Sequence, residues 1–151
     1  MGTHDEQPLW RQAATHTLHT SLLLKAILEE RLQEASGLVL ADNEALLNLA
    51  HADGGLRMSD IADRLILSRG GTTKVIDRLE VLGYVERVAD PQDRRATMVE
   101  ITDAGRAAMA VARVVIDEGL KAAWAQHISD DEARVIVEVM RRVLEEHPGE
   151  H

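Results

Sequence analysis

Residues 83–105 read GYVERVADPQDRRATMVEITDAG. From Tyr84 to Ala89 the helical period of the preceding segment is lost, and this short run with Val85 and Val88 reads as a strand. Asp90-Pro91-Gln92-Asp93-Arg94-Arg95 is a polar turn, and Pro91 keeps helix out of it. Ala96 to Ile101 read as the return strand. Thr102 then sits where a helix N-cap belongs, ahead of a long Ala- and Val-rich segment. The segment is a hairpin with a cationic tip, fenced by Gly83 on one side and a helix start on the other.

Upstream, the spacing changes to that of helices. Val75, Ile76, Leu79 and Leu82 form an apolar stripe over about Arg69 to Leu82, and Gly83 is a left-handed C-cap candidate. Leu67 and Ser68 read as a turn, and Ser59 as the cap of a short helix holding Ile61, Ala62 and Leu65. Leu56-Arg57-Met58 reads as a short extended piece. Asp42 is a candidate cap for a helix through Ala52, with Ala45, Leu46, Leu49 and Ala50 inward. Residues 9–35 read as one long helix ended by Gly37. Downstream, a helix is expected from Thr102 to about His127. The Ser129-Asp130-Asp131-Glu132 capping box opens a last helix carrying Ile136, Val137, Met140, Val143 and Leu144. The fold class is therefore mainly α with a small β-hairpin wing. A winged helix-turn-helix lobe at about 42–101 is joined to helices 9–35 and 102–147 in a single domain of 151 residues.

Composition narrows the function. Apolar residues make up 45% and aromatics 2%, with no Phe, so Leu, Val, Ile, Ala and Met must build the core. With no Cys, disulfides, thiol catalysis and Cys-ligated zinc are excluded. There is no Gly-rich phosphate loop, HExxH or serine elbow, so an enzyme is not expected, nor is a cofactor. No secretory signal or membrane-length apolar run is present, which points to the cytoplasm and to no membrane partner. The net charge is −9, yet residues 57–96 hold eight basic and seven acidic groups, so this one segment of an acidic chain is locally close to neutral.

A helix pair followed by an arginine-tipped hairpin suits double-stranded DNA. One helix enters the major groove while the wing reaches the neighbouring minor groove. Residues 83–105, with Asp90-Pro91-Gln92-Asp93-Arg94-Arg95 and Ile101-Thr102-Asp103-Ala104-Gly105, resemble the signature of the MarR family. Ser59-Asp60-Ile61-Ala62 and Leu79-Glu80 extend the likeness. The resemblance implies a winged helix-turn-helix regulator, in most cases a repressor, working as a homodimer through its first and last two helices. It also implies a palindromic operator and release by a small anionic aromatic effector. The long apolar stretches of the terminal helices favour the dimer independently, since one chain of this size offers them little to bury against.

The expected DNA-contacting residues follow. On the helix pair they are Ser59, Ser68, Arg69, Gly70, Thr72, Thr73, Lys74 and Arg78; on the wing they are Asp93, Arg94 and Arg95. One wing arginine is expected in the minor groove, with the other on a phosphate or paired with Asp93 or Asp90. Gly70-Gly71 departs from the family's usual Ser- or Thr-rich start to this helix. The resemblance places an effector pocket between dimer helices and DNA-binding lobe, where Trp10, His16 and His19 are candidates; Trp10 equally suits a dimer core. His16 and His19 share a helical face, but no nearby Asp, Glu or Cys completes a metal shell, so no metal is expected. The alternative to a regulator is a helical protein–protein adaptor using the winged lobe.

Overall fold

The computed structural model describes residues 7–65, 69–93 and 95–146. Among the described residues, six α-helices and three strands follow in the order α1 (Leu9–Ser36), α2 (Leu40–Ala50), β1 (Leu56–Arg57), α3 (Met58–Arg64), α4 (Arg69–Val81), β2 (Val85–Ala89), β3 (Thr97–Ile101), α5 (Asp103–Ala123) and α6 (Asp130–Glu146), with a 3-10 turn at Ala125–His127. The hairpin expected from the sequence is β2 and β3, antiparallel from Val85 opposite Ile101 to Ala89 opposite Thr97. The short extended piece joins it as a third strand, with Leu56 opposite Val99, so β3 is central.

The core lies where α2, α4 and the sheet meet. Leu46, Leu49, Ile61, Ile76, Leu79 and Val99 are all fully or almost fully buried there. Leu32 and Ala112 carry the same cluster outward to α1 and α5. These are aliphatic side chains throughout, as an aromatic-poor composition requires.

Several boundaries differ from the expectations. α2 starts at Leu40, so Asp42 lies inside its first turn and is not the cap. Its carboxylate reaches back to accept the Val39 N–H at 3.0 Å. α3 starts at Met58, directly off β1, so Ser59 is its second residue and Arg57 the boundary position. α5 ends at Ala123 rather than His127. Leu82 lies past the end of α4 and is 44% exposed, outside the buried stripe. The cap at Ser129 holds as read: its N–H and hydroxyl donate to Glu132 at 2.9 and 2.6 Å. Those bonds, the hydroxyl's first, hold the Glu132 carboxyl below its ordinary range.

The joint between wing and α5 is tight. Thr102 Oγ1 accepts the Gly105 N–H at 3.1 Å and donates to the Gly83 carbonyl at 2.7 Å, while the Thr102 N–H donates to Tyr84 O at 3.0 Å. Gly105 is buried with its Cα against that same carbonyl. A Cβ there would lie 2.1 Å from Tyr84 O, which is backbone and cannot swing aside. Gly105→Ala is therefore expected to destabilise the protein by about 1–3 kcal/mol, the range for overpacking a closed site. Chemical denaturation followed by circular dichroism measures it; an unchanged midpoint would show that the joint has slack.

Two surfaces stay bare in one copy of the chain. In α1 only Leu28 and Leu32 are buried, while Leu9, Trp10, Leu18, Leu22 and Leu23 are exposed. α6 buries no residue and carries Val135, Val137, Val143 and Leu144 in the open.

Candidate nucleic-acid interface

The inward stripe of α4 is Thr72, Val75, Ile76 and Leu79, four positions at helical spacing. Thr72 is 1% exposed, so the expectation that it offers its side chain to DNA is corrected. The signal was available: Thr72 lies three residues before Val75 and four before Ile76, on the face already read as apolar. Gly70, Thr73 and Lys74 lie on the opposite, exposed face. An added Cβ at Gly70 would meet nothing within 4 Å among the described residues, so none of these demands a glycine there.

α3 shares this surface with α4. Met58, Ser59 and Ala62 face Thr73 across a shallow cleft of about 270 Å³. Ser59 is exposed, with its hydroxyl 3.4 Å from Asp60 Oδ1. Ser68 and Arg94 lie outside the described residues, and so does the side chain of Arg69.

The charges on α4 sort into two kinds. Arg78 is bound to Asp42 of α2: its Nε donates to the two carboxylate oxygens at 3.1 and 3.2 Å, and Nη2 closes the fork. Its guanidinium, expected at the DNA, is thus engaged from within the subunit. Asp77 and Glu80, two anions that would repel a phosphate, are both held by Arg87 of β2. These contacts, led by the bond to Asp77, raise the Arg87 pKa further above its ordinary value. Lys74 makes no ion pair among the described residues.

The wing is built by its acids. Asp90 is buried, and Oδ1 accepts the N–H groups of Gln92 and Asp93 at 2.8 and 3.3 Å, shaping the turn. Oδ2 accepts Nε and Nη2 of Arg57 at 3.0 and 2.5 Å. The Gln92 N–H and then the guanidinium keep the Asp90 carboxyl below the usual carboxylate range. Arg57, which sequence reasoning left unassigned, ties the wing to β1 and thereby to the start of α3. Asp93 Oδ1 accepts the Arg95 N–H at 3.0 Å, so its carboxylate shapes the tip. The Arg95 side chain is exposed and without an ion pair among the described residues. α3, the outer face of α4 and the arginine tip are thus joined by the Arg57–Asp90 clip and the Arg87 bridge.

A second feature was not among the sequence expectations. Between α2 and α5 lies a cleft of about 640 Å³ lined by Asn43, Leu47, Ala50, His51, Arg106, Met109, Ala110, Arg113 and Ile116. Trp10, His16 and His19 do not contribute to it. They are exposed on the first half of α1, and His16 Nδ1 is 2.7 Å from Gln12 O. Arg106 and Arg113 share one face of α5, two turns apart, while His51 comes from the end of α2; that meeting of two elements is what linear spacing does not reveal.

Residues 40–96, the lobe just described, match the MarR family. Over 61 residues the chain is 39% identical to the uncharacterized HTH-type transcriptional regulator YkoM of Bacillus subtilis (strain 168), covering 40% of each. The chain spans about two fifths of the length of the curated relatives it matches. Solved structures extend the likeness over nearly the whole chain. Sco3205, a MarR family transcriptional regulator from Streptomyces coelicolor in complex with DNA, is 25% identical with a TM-score of 0.80, over 96% of this chain and 89% of that one. CouR from Rhodococcus jostii RHA1, bound to p-coumaroyl-CoA, shares the fold at 20% identity and a TM-score of 0.77, over 97% and 98%. Among the described residues no helix is long and apolar enough to cross a membrane.

Proposed function

We propose that this chain, whose residues 40–96 match the MarR family and whose fold is that of a MarR family regulator solved with DNA, is a winged helix-turn-helix transcriptional regulator that works as a homodimeric repressor. It reads a palindromic operator through α4 and the wing. The observation that supports this reading is the exposed face of α3 and α4, where Ser59 and Thr73 line one cleft, Lys74 is exposed beside Thr73, and Asp77 and Glu80 are held by Arg87; the wing adds an exposed Arg95. Thr and Lys suit phosphates and base edges, and an arginine-tipped hairpin suits the narrow minor groove. The dimer is supported by the bare apolar faces of α1 and α6. An isologous interface would place two copies of α4 about one DNA turn apart.

The effector belongs in the α2–α5 cleft. Arg106 and Arg113 supply charge for a carboxylate, His51 a polar contact, and Leu47, Met109 and Ile116 an apolar floor for a ring. A small anionic aromatic molecule fits that lining.

Selection of bound sequences from random duplex DNA tests the reading. An inverted repeat with half-sites about 10 base pairs apart is expected. Enrichment of no sequence, or of a lone unrepeated site, would overturn it. Benzoate and cinnamate are suitable first probes for release. The Arg106→Ala/Arg113→Ala variant is expected to hold the operator in their presence.

A further inference from the structure

The start of α2 is a polar joint among three helices. Glu29 of α1 accepts the Leu40 N–H at 3.1 Å. The preceding N–H, that of Val39, donates to Asp42 Oδ2 at 3.0 Å. The same Asp42 carboxylate takes the fork of Arg78 on α4. Residues 39–42 thus hold a helix that runs out of the lobe, α1, and the helix that enters the groove, α4.

Asp42 is fully buried and Arg78 is 44% exposed along its side chain. Burying an ion pair gains little stability over a well-packed apolar pair, so its presence here calls for a geometric role. A carboxylate facing two nitrogens of one guanidinium fixes an angle as well as a distance. That angle matters at the far end of α4. Arg69 is nine residues from Arg78, about 13 Å along the axis, so a turn of about 5° at the anchor moves the groove-facing end by about 1 Å.

We propose that Asp42 is a positioning residue for DNA recognition: acting through Arg78, with Glu29 holding the other side of the joint, it sets the separation of the two recognition helices. This rests on the dimeric, palindrome-reading function proposed above. It gives α2 two tasks. Asn43, Leu47 and His51 face the cleft, while Asp42 faces α4, so a molecule that pushes on α2 acts on the anchor of the recognition helix.

The test uses the operator obtained by selection, two versions with the central spacer one base pair longer or shorter, and a duplex holding one half-site. For the natural chain, each spacer change is expected to weaken binding about tenfold or more. Asp42→Asn keeps an acceptor for the Val39 N–H and lets Arg78 turn to water. It is expected to flatten the difference between spacers to about threefold or less. Its half-site affinity and salt dependence should stay as they were. Arg78→Lys keeps the charge but not the fork and is expected to flatten the profile as well. An Asp42→Asn profile as steep as the natural one overturns the proposal. So does an equal loss on every duplex, the half-site included, which marks a fold defect or a lost direct contact. Should Asp42→Asn not fold, Glu29→Gln and Arg78→Lys carry the same comparison, with the same two outcomes. If the natural chain selects no spaced repeat, the dimeric reading falls first and this inference with it.

Discussion

Alanine at both Arg94 and Arg95 is expected to lower operator affinity about a hundredfold or more and to flatten its salt dependence. Each lost phosphate contact reduces the slope of log K against log salt by about 0.9, so four arginines in a dimer remove up to about 3–4 from it. Among the described residues Arg95 has no ion-pair partner, and Asp93 is spent on the turn that presents it. Fluorescence anisotropy against a labelled operator at several salt concentrations measures both quantities. Arg134→Ala is the control, since Arg134 is paired with Asp131 on α6, away from the lobe. A protein–protein adaptor built on this lobe would show no steep salt dependence before the substitution. Unchanged affinity and slope in the double variant would remove the wing from the interface.

The second large effect is expected at α6. Val137 and Leu144 are 66% and 56% exposed in one copy. Burying an aliphatic side chain of this size contributes about 1.5–3 kcal/mol, and a two-fold interface counts each residue twice. Val137→Asp/Leu144→Asp therefore removes on the order of 6–12 kcal/mol, and buries carboxylates if the subunits still associate. That is the scale of a micromolar to nanomolar association, so the variant is expected to be a monomer by sedimentation at micromolar concentration. Operator binding should fall to the level of a single half-site. Helix content should change little, because α6 contributes nothing to the buried core. A natural chain that sediments as a monomer, or a variant that remains dimeric, would contradict the reading.

Much of this could be read from the order of residues. The hairpin followed from two short Val-containing runs on either side of the polar turn at Pro91, and the helix ends followed from Gly37, Gly83, Thr102 and Ser129. What could not be read was pairing across the chain. Asp42 looked like a cap because capping is the local use of Asp before an apolar run. Its partner is Arg78, thirty-six residues on, and that contact also redirected an arginine expected at the DNA. Arg57 and Asp90 meet only because β1 adds to β3, and a two-residue strand leaves almost no periodic signal. Thr72 is the opposite case, where helical spacing pointed inward and residue type pointed outward. The buried stripe won, because a polar side chain with a partner can be accommodated in a packed face.

The near absence of aromatic residues has an optical consequence. The chain has two indoles, Trp10 and Trp124. The first lies open on α1; the second, at the end of α5, helps to line a cleft with Val135 and Ile136 of α6. The lobe that would touch DNA contains a single chromophore, Tyr84. Intrinsic emission therefore reports on the terminal helices and whatever covers them, while events in the lobe pass almost unseen.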